Sequence, residues 1–143
     1  MRYNRLIMDS IFTKIINRDI PAEIIYEDET VVAFLDIKPI NYGHTLVVPK
    51  KPFENIFDGD AETLAHMMKV GQKIGQALVA ARLADGVNLI MNNGAAAKQE
   101  VWHAHLHVVP RKTNDHSFTN PIHVETTPEQ NKITQAALQA ALA

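Results

Sequence analysis

The sequence predicts an α+β domain: one antiparallel sheet of about five strands, a single long helix packed on it, and short helices at the N- and C-terminal ends. Three observations carry that expectation. Short apolar runs rich in valine and isoleucine recur along the chain, each stopped by a turn residue or a proline. Residues 60–83 repeat their apolar positions at three- and four-residue intervals, the signature of an amphipathic helix. Finally, 143 residues with 46% hydrophobic content suffice for one core without requiring two.

The elements follow in order. Ser10 or Asp9 caps a short helix running to Asn17, whose Ile11, Phe12, Ile15 and Ile16 supply its apolar positions. Pro21 redirects the chain. Ile24-Ile25-Tyr26-Glu27 reads as a strand, Asp28-Glu29 as a turn, and Thr30-Val31-Val32-Ala33-Phe34-Leu35 as its hairpin partner, ending at Asp36. After the turn Asn41-Tyr42-Gly43, His44-Thr45-Leu46-Val47-Val48 forms a further strand that Pro49 stops.

In the long helix the recurring positions are Leu64, Met67, Met68, Gly71, Ile74, Gly75, Leu78 and Val79. Its acidic first turn suits the positive end of the helix dipole, and Gly71 and Gly75 predict close packing on the sheet. Asp85-Gly86 is expected to end it. Val87-Asn88-Leu89-Ile90-Met91 makes the next strand, and Asn92-Asn93-Gly94 turns the chain toward a strand through residues 103–109. Thr127-Pro128-Glu129-Gln130 has the capping-box pattern with proline at the first helical position, opening a last helix. Residues 1–8 read as an N-terminal extension, with Met8 available as an alternative start, and residues 9–143 as a single domain with a C-terminal tail and helix.

Composition excludes several functions. Fourteen basic and 16 acidic residues give a net charge of −2 with no long run of one sign, so no electrostatic footprint for nucleic acid exists. Absence of cysteine removes disulfides and thiolate metal sites. The apolar runs are too short to span a bilayer, and residues 1–7 lack the apolar stretch of a signal peptide. The expectation is a cytoplasmic protein with neither a nucleic-acid nor a membrane partner.

The chemistry concentrates in His103-Ala104-His105-Leu106-His107-Val108-Val109. Histidines at every second position share one face of an extended strand, while Ala104, Leu106 and Val108 offer an apolar opposite face. Three readings compete. The histidines share no common task, or alternate imidazoles hold a metal ion, or a neutral imidazole attacks an electrophile while its neighbours orient it. Against the metal, the first and third histidines lie roughly 13 Å apart along a strand, and Glu100 is the single nearby carboxylate. Catalysis by neutral imidazole needs no cofactor, since that form prevails near pH 7.

The run from Gln99 to Arg111 resembles the signature of the histidine-triad (HIT) superfamily of nucleotide hydrolases and transferases. Other segments agree in family order: Ile11-Phe12 with Lys14-Ile15-Ile16, Ile20-Pro21-Ala22, Tyr26-Glu27-Asp28, Phe34-Leu35-Asp36-Ile37, Gly43-His44-Thr45-Leu46-Val47-Val48-Pro49-Lys50 and Asn92-Asn93-Gly94. The resemblance covers roughly residues 9–111 and implies a HIT-like fold, closest to the bacterial nucleoside-phosphoramidase-like branch.

The resemblance assigns roles residue by residue. His105 is the nucleophile that takes the nucleoside monophosphate from the α-phosphorus, forming a nucleotidyl-histidine that water then hydrolyses. His107 contacts phosphoryl oxygens, His103 orients the network, and His44 supports it from the adjacent strand. Asp36 holds the ribose hydroxyls. Asn92 and Gln99 bind the phosphate and leaving-group region, and backbone N–H groups around Glu100 and Val101 stabilise developing charge. Phe12, Ile11, Ile15 and Ile37 form the base pocket. The implied partner is a purine nucleotide of the AMP type, with no cofactor, in a homodimer.

Two departures stand out. Where many bacterial-type members place a zinc site built from two cysteines and two histidines, this chain has Ser10, Thr13, Phe53 and His103, so no structural zinc is expected. Lys98 stands in place of the usual glycine and Glu100 in place of a common serine or threonine, both beside the leaving group. The leading reading is hydrolysis of nucleoside 5′-phosphoramidates or related adenylylated small molecules. The alternatives are a dinucleoside polyphosphate hydrolase and a purine-nucleotide-binding module with little turnover. His116 and His123 in the tail read as solvated loop residues.

Overall fold

The computed structural model describes residues 10–115 and 125–143. Met8, Asp9, His116 and His123 lie outside the described residues. The elements, in chain order, are α1 (Ile11–Ile16), β1 (Ile24–Glu27), β2 (Val31–Leu35), β3 (Thr45–Pro49), α2 (Ala61–Ala80), β4 (Gly86–Ile90), a 3₁₀ turn (Ala95–Ala97), β5 (Leu106–Arg111) and α3 (Pro128–Leu142). The strands form one antiparallel sheet in the order β1-β2-β3-β5-β4.

The continuous apolar runs of β2 and β3 reflect burial on both faces of the sheet. On one face Val31, Ala33, Val47, Leu106 and Val108 pack against Met67, Val70, Ile74 and Leu78 of α2. On the other, Val32, Phe34, Leu46 and Val48 pack against Phe12 and Ile15 of α1. Helix α2 lies close where two of its sheet-facing positions, Gly71 and Gly75, have no side chain. A Cβ on Gly71 would sit 2.9 Å from Leu106 Cδ2, and one on Gly75 3.2 Å from Val87 Cγ2.

Helix starts agree with their sequence signals. Ser10 Oγ accepts from Thr13 N, Asp60 accepts from Thr63 N, and Thr127 and Gln130 form the reciprocal capping box. One stop differs. Helix α2 does not run to Asp85-Gly86; it closes at Ala80, where Arg82 N–H donates to Val79 O and Leu83 N–H to Leu78 O. Arg82 adopts φ +60°, so an arginine fills the left-handed position that glycine usually takes. Arg18, at φ +65°, does the same after α1.

The histidine strand also differs. β5 begins only at Leu106, leaving His103 and His105 in the segment before it. Pairing with β3 stops at Val47↔Leu106, because extension would bring Ala104 opposite Pro49, which has no N–H to donate. Ala104 N–H donates instead to Phe53 O at 2.8 Å. Every residue of α3 is exposed, and among the described residues no helix is long and apolar enough to cross a membrane.

Candidate active site

Four imidazoles gather on the α1 face of the sheet. The rings of His105 and His107 have centroids 4.9 Å apart, those of His44 and His107 5.2 Å, and Phe12 meets the edges of His103 and His105 at 5.8 and 5.0 Å. The clustering survives the loss of regular strand geometry at residues 103–105 because each ring is held by its own hydrogen bonds.

Those bonds fix the tautomers. His103 donates Nε2–H to Pro49 O at 2.9 Å, so its Nδ1 is an acceptor and takes the Ser10 hydroxyl proton at 3.0 Å. His105 donates Nδ1–H to His103 O at 2.7 Å, which leaves Nε2 with a lone pair. His44 Nδ1 accepts from Ile40 N–H at 3.1 Å, so its proton is on Nε2 and is donated to His107 Nδ1 at 2.9 Å. His107 therefore carries its proton on Nε2. The site presents one imidazole lone pair, on His105 Nε2, and one imidazole N–H, on His107 Nε2.

Burial favours the neutral form throughout. His103 and His105 are held below the ordinary imidazole pKa chiefly by desolvation, against the hydrogen bonds to Pro49 O and His103 O that raise them. Desolvation likewise lowers His44, partly opposed by the Asp36 charge. His107 is lowered most, to about 4, by burial and then by the neighbouring His105 and His44.

Asp36 Oδ1 accepts from Lys38 N–H at 2.9 Å, and Oδ2 lies 3.6 Å from His44 Nε2. Asp36, His44 and His107 thus bring three potential ligand atoms within 4.8 Å of one another, a set not anticipated by the metal reading through Glu100. Its hydrogen bonding does not suit a cation. A metal-bound imidazole donates its second ring N–H outward, whereas His44 Nδ1 faces the Ile40 N–H donor and must stay unprotonated.

The other expected site residues divide. Phe12 and Ile15 are buried in the core behind the histidines, while Ile11 and Ile37 are 45% and 85% exposed. Val101 packs on the same core, and Glu100 and Lys98 are exposed on the adjoining loop, Lys98 at φ +65°. Ile90 pairs with His107, so Asn92 leaves β4 at the end where the histidines enter β5. Gln99 departs from the expectation of an amide open to phosphate. It is buried: Nε2 donates to Glu54 O and Val101 O, and Oε1 accepts from Gly94 N and Asn55 Nδ2. Gln99 braces the loops beside the site from within.

Sequence reasoning missed Ser10, Asn55 and Asn93 as parts of that framework. Asn93 Oδ1 accepts from Ile56 N–H, tying the loop after Phe53 to the turn after β4. Of the four positions compared with a zinc site, Ser10, Thr13 and His103 do converge, as hydrogen-bond partners: Ser10 Oγ is 3.1 Å from Thr13 Oγ1 and 3.0 Å from His103 Nδ1. Phe53 is instead buried in the core under α2.

A five-stranded antiparallel sheet that brings a His-x-His-x-His run and a fourth histidine together defines a protein of the histidine-triad class. The HIT domain family model matches residues 17–114, and the chain belongs to that family, a family of nucleotide-binding hydrolases and transferases. It is 49% identical to the HIT-like protein MJ0866 of Methanocaldococcus jannaschii over 73% of this chain and 81% of that one. Adenylylsulfatase HINT3 of Arabidopsis thaliana is 37% identical over 75% of this chain and 54% of its own. A HIT family structure from Bacillus subtilis superposes with a TM-score of 0.85 at 36% identity, covering 94% of this chain and 98% of that one.

Proposed function

We propose that the protein hydrolyses nucleoside 5′-phosphoramidates or related adenylylated small molecules through a nucleotidyl-histidine at His105. The observation that carries the reading is the His105 tautomer: Nδ1–H is committed to His103 O, and Nε2 keeps its lone pair. In the first step Nε2 attacks the α-phosphorus, the bond to the leaving group breaks, and the nucleotide is joined to nitrogen. In the second, water attacks the same phosphorus, the bond to His105 breaks, and the monophosphate leaves. In this reading His107 Nε2–H donates to a phosphoryl oxygen. Asp36 retains acceptor capacity for ribose hydroxyls, as among the described residues its oxygens take only the Lys38 N–H and the distant His44. Ile11 and Ile37 supply exposed apolar surface for a purine base, while Phe12 and Ile15 are buried. The roles of Asn92 and of the N–H groups near Glu100 and Val101 rest on the family resemblance.

The Arabidopsis relative is an adenylylsulfatase, which supports an adenylyl group as the transferred part. Purified protein should therefore release AMP from a panel of adenosine phosphoramidates and diadenosine polyphosphates with chelator present. No AMP from any member would refute the reading. On the same panel Lys98→Gly and Glu100→Ser should change the rate ratio between phosphoramidate and polyphosphate substrates, because both charges are exposed and the family resemblance sets them beside the leaving group. Identical ratios in all three proteins would remove the two residues from specificity.

A homodimer fits an edge of the sheet that is open among the described residues. β4 is the last strand of the sheet, and beside it a groove of about 620 Å³ is lined by Gly71, Gly75, Val79, Val87 and Leu89. Sedimentation equilibrium should return twice the 16.0 kDa chain mass; a monomer at micromolar concentration would contradict this.

A further inference from the structure

One proton lies between His44 and His107, whose Nε2 and Nδ1 are 2.9 Å apart. Two neutral imidazoles can carry that proton on either ring, and the choice reverses what His107 shows on its far side. With His44 donating, His107 Nε2 bears an N–H; with His107 donating through Nδ1, its Nε2 is a bare lone pair that repels a phosphoryl oxygen. Ile40 N–H, 3.1 Å from His44 Nδ1, breaks the degeneracy by requiring that nitrogen to accept. The Asp36 carboxylate pulls the same way from 3.6 Å, beyond a good hydrogen bond.

That amide belongs to an irregular loop, residues 37–43, with little packing to fix it. Ile37, Ile40 and Tyr42 are 85%, 39% and 88% exposed. The Asn41 side chain ties this loop to the rest of the domain: its Nδ2 donates to Pro110 O at 2.8 Å and to Asp115 Oδ2 at 3.2 Å. Its own carbonyl accepts from His44 N–H at 3.1 Å. Gly43, at φ +92° and with room for no Cβ beside Leu78, closes the turn between them.

We propose that Asn41 is a positioning residue for the reaction: by anchoring the loop to Pro110 and Asp115 it holds Ile40 N–H on His44. The His44–His107 pair is thereby kept in the tautomer that offers an N–H to the substrate phosphoryl group. The proposal rests on the functional reading above for its effect on rate, and on the structure alone for its effect on the tautomer.

The test compares wild type, Asn41→Ala, Asn41→Asp and a protein whose residue 40 is the α-hydroxy analogue of isoleucine, which replaces the single N–H by an ester oxygen. The readouts are the ¹⁵N ring shifts of His107 and the kcat and KM for adenosine 5′-phosphoramidate. Wild type should show His107 protonated on Nε2. The ester and Asn41→Ala should each move part of His107 to the Nδ1–H form and lower kcat by about tenfold to a hundredfold, with KM within about threefold. Asn41→Asp, equal in size but without the donor, should behave as Asn41→Ala. His107 unchanged in the ester protein, or Asn41→Asp indistinguishable from wild type, would overturn the proposal. If Asn41→Ala does not fold, the ester protein decides alone. A wild type inactive on the substrate leaves the ring shifts to judge the tautomer and counts against the functional reading only.

Discussion

Replacing His105 by asparagine is expected to reduce turnover by on the order of 10⁴-fold or more, while AMP affinity changes by no more than a few-fold. Asparagine is close in size to the proximal half of imidazole, and its amide can still donate to His103 O, which His105 Nδ1 contacts at 2.7 Å. What it lacks is the distal lone pair. Single-turnover kinetics with adenosine 5′-phosphoramidate, beside AMP titration by calorimetry, separates the two effects. A variant that keeps wild-type turnover would mean that water attacks directly, whereas a variant that loses AMP binding in parallel would mean that the ring serves packing.

The second large effect is on acidification. His44, His103, His105 and His107 are all held below the ordinary imidazole value of 6.5, with desolvation first among the causes and His107 down to about 4. The neutral forms that the proposed reaction needs therefore persist below pH 6.5, and log kcat/KM should stay level from neutrality into mild acid before it falls. Stability moves in the same direction. Between about 6.5 and the lowered native values the unfolded chain binds protons that the native chain does not, so unfolding free energy falls as pH drops and is restored as pH rises. Denaturant midpoints measured from pH 7 to pH 4 check the sign. An acid limb centred at or above 6.5, or a midpoint that rises on acidification, would show imidazoles that gain rather than lose protonation on folding.

Much of the fold was legible because it is written in periodicity. β2 and β3 are unbroken apolar runs because both faces are covered, and Gly71 and Gly75 mark the place where α2 touches Leu106 and Val87. What periodicity does not carry is where an element stops. Arg18 and Arg82 close helices from the left-handed region that sequence reading reserves for glycine. The start of β5 is set by a missing N–H on Pro49, a residue of the neighbouring strand.

The histidine cluster was legible from spacing, and the family resemblance pointed to Asp36 and His44 beside it. Its framework was not. Ser10 beneath His103, Asn93 beneath Ile56, and Gln99 between Glu54, Asn55, Gly94 and Val101 are contacts between loops distant in sequence. Single polar side chains in loops leave no repeating trace, so their partners emerge only when the chain is folded. For Gln99 the difference is chemical: its four bonds occupy the amide that the resemblance directed to phosphate.

The central claim is that phosphorus passes through a bond to His105 Nε2. Its most direct test is the stereochemistry at phosphorus of hydrolysis in ¹⁸O-water, using an adenosine phosphoramidothioate of defined configuration. Two successive in-line displacements predict net retention; net inversion would mean a single attack by water and would contradict the account.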